Sequence, residues 1–301
     1  MSARIALATA PPARGLDEDM APLLAALHAA GAEALAVDWD DASVDWHGFD
    51  AVLPRSTWDY CERLPAFLDW TRRVAAATRL LNPADVIAWN TDKHYLHALA
   101  EAGVAIIPSR FVEPGDDAGA AWHAFLDAHP GDGDVVVKPA VGAGSRDAER
   151  HPRTASAAAV AHIARLLEAG RSALLQPYLD RVDVDGETAL VHVDGRYSHA
   201  IRKGPLLQRA APATRALFAA ERISAREPDA DERALAERVL AAVPFDGPLA
   251  YARVDLVRAG DGTPCLLELE LVEPSLFFDH AAGSAARLAE AILRRVRRVR
   301  R

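Results

Sequence analysis

The sequence predicts an α/β (α+β) chain that opens on a small parallel α/β unit, and three observations predict it. Strand and helix patterns alternate through residues 1–88, as a parallel sheet with crossover helices requires. A β-branched run, Val135 to Val137, leads through Lys138 and Pro139 into a loop with glycines at 142 and 144, the pattern of a buried strand that ends in a flexible turn. Asp194-Gly195 and Asp261-Gly262 each interrupt strand-like stretches and mark two hairpins.

In chain order, residues 4–9 read as a strand and 18–30 as a helix closed by Gly31. Strands follow over 34–39 and 50–55, then a helix over 64–77. Ligands of such sheets gather beyond the carboxyl ends of the strands, where two loops fall: 10–19, and Pro54-Arg55-Ser56-Thr57-Trp58-Asp59-Tyr60. The second suits a small zwitterion, with Arg55 for a carboxylate and Asp59 for an amine; a pair between Arg55 and Asp59 explains the same residues. A boundary falls near Asn82-Pro83. Asn90-Thr91-Asp92 then reads as the cap of a helix over 93–102, ended by Gly103, which puts Lys93 in the first turn. A cation there opposes the helix dipole, so a bound anion or Asp92 must hold it. Next come a strand over 104–108, helices over 118–129 and 155–169 on either side of the strand and glycine loop, and a strand over 172–179. The first Asp-Gly joins strands 187–193 and 196–203 and sets Arg202 and Lys203 at the far end of the hairpin. Residues 204–215 read as a mobile loop and 231–242 as a helix. Domains are expected over 1–88, 89–175 and 176–301.

Composition narrows the function. The 301 residues are 50% hydrophobic and contain no apolar run long enough to span a bilayer, so a large core and no membrane partner are expected. A net charge of −9 argues against a nucleic-acid partner. No leader-like segment precedes the first strand, which makes the cytoplasm the expected location. Cys61 and Cys265 are expected to be free thiols. The 11 histidines show no triad-like grouping, and His192 and His199 are assigned to strand packing or hydrogen bonding. Of 34 basic residues, 31 are arginine and only Lys93, Lys138 and Lys203 are lysine. Where arginine serves as the generic cation, a retained lysine marks a place that needs a compact ammonium.

Two of these features point to chemistry. Lys138 stands at the mouth of Gly142-Ala143-Gly144-Ser145, where glycines let backbone N–H groups approach an anion and the ammonium adds charge. A nucleotide phosphate fits this pattern, and so does an ordinary exposed loop; the order is neither that of a P-loop nor a full dinucleotide fingerprint. The last hairpin is sharper. A two-residue turn on Asp261-Gly262 sets Asp255 opposite Glu268 and Arg253 opposite Glu270, with Glu268 and Glu270 on one strand face. Like charges facing each other weaken a ladder, so a shared divalent cation is expected, and an all-oxygen site suits Mg²⁺ carrying a nucleotide. A cross-strand pair between Arg253 and Glu270, with the other acids solvated, is the alternative.

With these residues placed, the chain resembles the ATP-grasp superfamily of carboxylate ligases from its first domain to its last hairpin. The resemblance implies an ATP-grasp fold behind an N-terminal parallel α/β domain. It casts Lys93 and Lys138 as phosphate-binding lysines and Gly142, Gly144 and Ser145 as the loop that closes over the phosphates. Gln176, Pro177, Tyr178 and Leu179 resemble the adenine hinge, Glu187 falls at the ribose-binding acid, and Asp255, Glu268 and Glu270 fall at the Mg²⁺ ligands, Glu270 replacing the usual asparagine. The stretches RSTWDY, NTDK, VVVKP, SHAIRKGP and LLELELVEPSLFF are similar to the O-ureido-D-serine cyclo-ligase group, which closes the D-cycloserine ring. Glutathione synthetase and the ribosomal-protein glutamate ligases are more distantly similar. The activity this resemblance implies is that of an ATP- and Mg²⁺-dependent carbon–nitrogen ligase, which activates the carboxylate of a small zwitterionic substrate as an acyl phosphate. Arg202 and Lys203 would join the other lysines in neutralising charge, and Arg55 would orient the substrate. A ligase joining two molecules and a non-catalytic ATP-binding regulator are the alternatives, and a homo-oligomer is left open.

Overall fold

The computed structural model describes residues 2–207 and 222–297. The chain opens with β1 (Arg4–Thr9), α1 (Met20–Ala29), β2 (Glu33–Asp38), β3 (Ala51–Ser56), α2 (Leu64–Ala77) and β4 (Arg79–Leu80), whose strands form a parallel sheet in the order β2-β1-β3-β4. Period two along β1 divides its side chains between two cores. Ile5 and Leu7 pack with Leu23 and Leu27 of α1, while Ala6 and Ala8 face an aromatic cluster of Trp39, Trp46, Phe67 and Trp70.

Two helices, α3 (Ala84–Asn90) and α4 (Tyr95–Glu101), lead into β5 (Arg110–Val112), α5 (Ala118–Ala128), β6 (Val135–Pro139), β7 (Glu149–His151), α6 (Ser156–Glu168) and β8 (Ala173–Pro177). These strands make an antiparallel sheet, β5-β8-β6-β7, with Trp122, Phe125, Ile163 and Leu166 from α5 and α6 in its core. The chain then runs through α7 (Val182–Asp185), β9 (Glu187–Val193), β10 (Arg196–Lys203), β11 (Ile223–Arg226), α8 (Ala230–Ala241), β12 (Tyr251–Arg258), β13 (Pro264–Glu270) and α9 (Ser284–Arg297). Its sheet is antiparallel in the order β11-β10-β9-β12-β13. Among the described residues no helix is long and apolar enough to cross a membrane.

Several expectations need correction. The helix expected over 93–102 begins at Tyr95, and Lys93 lies in the turn between α3 and α4. Asn90 is not a cap: its side-chain amide donates to Leu269 O at 2.8 Å and its oxygen accepts from Leu271 N at 2.7 Å. Asn82, read as part of a boundary, does similar work. It donates to Tyr251 O and Leu271 O, both at 2.9 Å, and accepts from Ala250 N at 2.7 Å. The strand expected over 104–108 reduces to one bridge, Ile106 with Leu266, and the strand proper lies at 110–112. These departures have one cause. β13 is an edge strand, and its open backbone groups are satisfied by Ala105, Ile107, the Tyr95 hydroxyl and the two asparagine amides. The residues after 207 in the expected mobile loop lie outside the described residues.

Asp194 and Gly195 both take positive φ, 53° and 74°, as a type I′ turn demands. The second turn differs from the expected two-residue form: residues 260–262 make a three-residue loop closed by Ala259 N to Thr263 O at 2.9 Å, with Gly262 at φ 88°. A bulge next to Asp255 absorbs the offset, so Asp255 still faces Glu268 and Arg253 still faces Glu270.

Asn82→Ala strips partners from three buried backbone groups. It is expected to lower the unfolding free energy by roughly 2–4 kcal/mol in urea titrations. A loss below about 0.5 kcal/mol would show that the seam holds nothing together.

Candidate active site

A cleft opens between β6 and β8 on one side and β12 and β13 on the other, and all three lysines line it. Lys93 Nζ donates to Gly142 O at 3.0 Å and pairs with Glu268 Oε1 at 2.9 Å, so one ammonium joins the glycine loop to the last hairpin. Burial works against its charge, but Glu268, with Glu270 and Glu273 behind it, raises the Lys93 pKa. Lys203 lies across the ladder from Glu187, with Nζ 2.6 Å from Asp255 Oδ2 and 3.5 Å from Glu187 Oε2. Lys138 differs. Its ammonium has no hydrogen-bond or ion-pair partner among the described residues, and burial pulls its pKa down despite the nearby Glu268. A buried, unpaired ammonium aimed into a cleft is a place for an anion.

The carboxylates form the opposite wall. Burial favours protonation of Asp255, but Arg253 and Lys203 hold its pKa down to about 2. Glu268 is lowered in the same way, since Lys93 and Lys138 outweigh its burial. Glu270 is pushed up to about 8 by burial, because Arg253, its cross-strand partner, is shared with Asp255. The pair between Arg253 and Glu270 expected as the alternative to a metal is therefore present. The donor set is hard oxygen throughout and fits Mg²⁺ in chemistry. In this structure each acid holds a cation of the chain, and among the described residues the three do not gather within 4.8 Å of one another.

At the other end of the cleft Gln176, Pro177, Tyr178 and Leu179 form a rim above an apolar floor of Ile107, Val257 and Leu267. Gln176 is anchored by Nε2 to Ser109 Oγ at 2.9 Å. Tyr178 N is committed to Asp134 O at 2.8 Å, whereas Leu179 N–H has no acceptor among the described residues. The glycine loop turns through Gly144 and Ser145 at φ 63° and 59°, and Arg146 then pairs with Glu62 of the first domain, closing the loop over the cleft.

Two expected site residues are elsewhere. Arg202 neighbours Lys203 on β10, and period two sends the two side chains to opposite faces. Lys203 lines the cleft, while Arg202 binds Asp185 O and Val184 O, both at 2.7 Å, behind it. Arg55 is fully buried, with Nε 3.1 Å from Asp17, its guanidinium 3.7 Å from Asp19, and a hydrogen bond to Pro274 O. Asp59 pairs with Arg63 and accepts from Trp39 Nε1 at 2.9 Å, so neither reading of Arg55 and Asp59 holds. Asp19 also accepts the backbone N–H groups of Leu276, Phe277 and Phe278 at 2.5–3.1 Å. Arg55 and Asp19 thus fix the segment that presents Glu273 to the cleft. Sequence reasoning does not single out Glu273 or Arg253 as site residues and names Trp58 and Tyr60 only as part of the expected 54–60 binding loop, yet all four line the cleft. Burial pushes the Glu273 pKa up to about 7. Its only signal in the sequence is an acid wedged between an apolar run and Pro274.

A family model described as the N-terminal domain of the D-cycloserine synthetase DcsG matches residues 5–82. The cycloserine biosynthesis protein DcsG of Streptomyces lavendulae is 43% identical over 297 residues, 97% of this chain and 99% of its own. The crystal structure of D-cycloserine synthetase DcsG matches with a TM-score of 0.92 at 42% identity, over 97% of this chain and 99% of that one. The ATP-grasp ligase PsnB, in complex with a minimal precursor, Mg and ADP, matches at 0.63 and 20% identity over 97% of both chains, a likeness of fold alone.

Lys138→Met replaces an unpaired buried ammonium by a neutral chain of similar length. The ligand-free variant is expected to melt at or above the wild-type temperature in a calorimetric scan. A loss of more than about 2 kcal/mol would reveal a partner that holds Lys138.

Proposed function

Because this chain belongs to the family of the D-cycloserine synthetase DcsG, among the ATP-grasp ligases, we propose that it is an ATP-dependent cyclo-ligase that closes the D-cycloserine ring from O-ureido-D-serine. One observation carries the reading: the match to DcsG extends over 97% of this chain and 99% of that protein at 43% identity, so it takes in the first domain, the cleft and the last hairpin rather than the nucleotide end alone.

The residues of the cleft divide the work. Lys93, Lys138 and Lys203 face the nucleotide phosphates, and Gly142, Gly144 and Ser145 cover them with backbone N–H groups. Gln176, Pro177, Tyr178 and Leu179 take the adenine against the apolar floor, and Glu187 takes the ribose. Asp255, Glu268 and Glu270 hold Mg²⁺, with Lys93, Lys203 and Arg253 as the cations they release or share. Bound Mg·ATP supplies the phosphoryl group that activates the substrate carboxylate as an acyl phosphate. Buried ammonium groups at fixed positions stabilise the charge that develops during transfer without reorganising. The loop pinned by Arg146 and Glu62, with Trp58 and Tyr60 beside it, keeps water from the labile anhydride. Glu273, held near neutrality by burial, accepts the proton shed by the attacking nitrogen. Arg202 and Arg55 act from behind, holding α7 and the 272–278 segment in place.

With Mg·ATP and O-ureido-D-serine the chain is expected to release ADP and phosphate together with the ring product, water taking the carbamoyl group off the ring nitrogen as carbon dioxide and ammonia. Lys138→Met and Glu268→Gln should each lower kcat/KM by about 10² or more. The rate should rise with pH through about 7 as Glu273 loses its proton, and Glu273→Gln should lose that limb. Phosphate release only when a separate acid and amine are supplied would overturn the cyclo-ligase reading.

A further inference from the structure

We propose that Glu149, His151 and His162 form a second metal site, for Zn²⁺ or a similar borderline transition-metal ion, that clips β7 to α6 outside the active cleft. His151 Nε2 lies 3.0 Å from His162 Nδ1. Glu149 places Oε2 at 3.8 Å from the first nitrogen and Oε1 at 3.6 Å from the second. Ligand atoms about 2.0–2.1 Å from a tetrahedral Zn²⁺ stand about 3.3 Å from one another, and here one oxygen of Glu149 and the two nitrogens lie within 4.8 Å of one another, so a turn of the Glu149 side chain brings the three toward one face of such a tetrahedron. Glu149 and His151 share a face of β7 by period two, and His162 meets them from α6.

The cluster is also short of protons. A hydrogen bond between two neutral imidazoles places one N–H and one lone pair between Nε2 and Nδ1. Both carboxylate oxygens of Glu149 face the same two nitrogens, so more lone pairs converge there than the one imidazole proton and the Arg165 donor supply. The histidines are 5% and 1% exposed, and water is poorly placed to relieve them. A cation satisfies all of these lone pairs at once. His162 Nε2, on the far side of the ring, is buried without a well-formed hydrogen bond, and the Asp147 backbone is the ring's other polar neighbour. Arg165 binds Glu149 Oε1 at 2.8 Å from an exposed position, where it orients the carboxylate from outside and competes for it. Two imidazoles and one carboxylate are zinc ligands, unlike the all-oxygen wall of the cleft. His151 pairs with Val135 and Glu149 with Val137 across the ladder, so the clip sits beside the strand that carries Lys138.

The test uses the full chain, stripped with a chelator and titrated with Zn²⁺ or Co²⁺ without nucleotide. Wild type is expected to bind one equivalent, to melt several degrees higher with Zn²⁺, and to show the intense visible bands of tetrahedral Co²⁺. His162→Gln and Glu149→Gln should bind at least tenfold more weakly while keeping their ATP-dependent activity. Failure of wild type to bind, a weak octahedral Co²⁺ spectrum, or equal uptake by the variants would overturn the proposal. The wild-type Co²⁺ spectrum decides even if a variant fails to fold.

Discussion

One buried ammonium sets the architecture: Lys93, 7% exposed, joined at once to the Gly142 carbonyl and the Glu268 carboxylate. A buried charge is stabilised when its donors are used, and here they are used on two segments, the glycine loop and the last hairpin. The glycine loop and the last hairpin are thereby tied to each other. Much nearby structure serves this placement. Asn90 and Tyr95, on the helices flanking Lys93, bind the outer edge of β13, and Lys93 N donates to Ala140 O at 3.0 Å.

The three lysines sit in unequal electrostatic positions, and the inequality is informative. Lys93 and Lys203 each contact a carboxylate, whereas Lys138 faces the cleft without one. Burial works against the charge on both Lys93 and Lys138, and direct contact with an acid reverses the sign for Lys93 alone of the two. A polyanion bound with its own cation would repair the imbalance on both walls, meeting Lys138 and giving Asp255 and Glu268 a divalent partner. Arginine would not replace these lysines, since its planar fork needs more room and more acceptors than Lys93 has.

Much of this is legible in the sequence. The parallel first sheet, both hairpins and the facing of Asp255 with Glu268 follow from periodicity and turn chemistry. The scarcity of lysine points to three residues that line one cleft. The departures share a physical origin in long-range contacts. Asn82 and Asn90 look like boundary and cap residues, yet their amides close a sheet edge some 170 to 190 residues away in sequence. Arg55 reads as a ligand-binding cation because nothing local reveals that Asp17, Asp19 and Pro274 O consume it. Arg202 is a different case, since period two along β10 already forbids it from sharing a face with Lys203. The second turn is one residue longer than its dipeptide suggests, and the acids still face each other because a bulge restores the register.

The central claim is that the acids of β12 and β13 and the ammonium groups around them are placed to receive one magnesium-nucleotide complex, which takes over the pairs they now make with each other. A crystal structure with Mg²⁺ and a non-hydrolysable ATP analogue tests it most directly. The account predicts Lys138 and Lys93 on the phosphates, Mg²⁺ on Asp255 and Glu268, and the base beside Leu179. A nucleotide bound elsewhere, with the pairs of Lys93 to Glu268 and Lys203 to Asp255 intact, would contradict it.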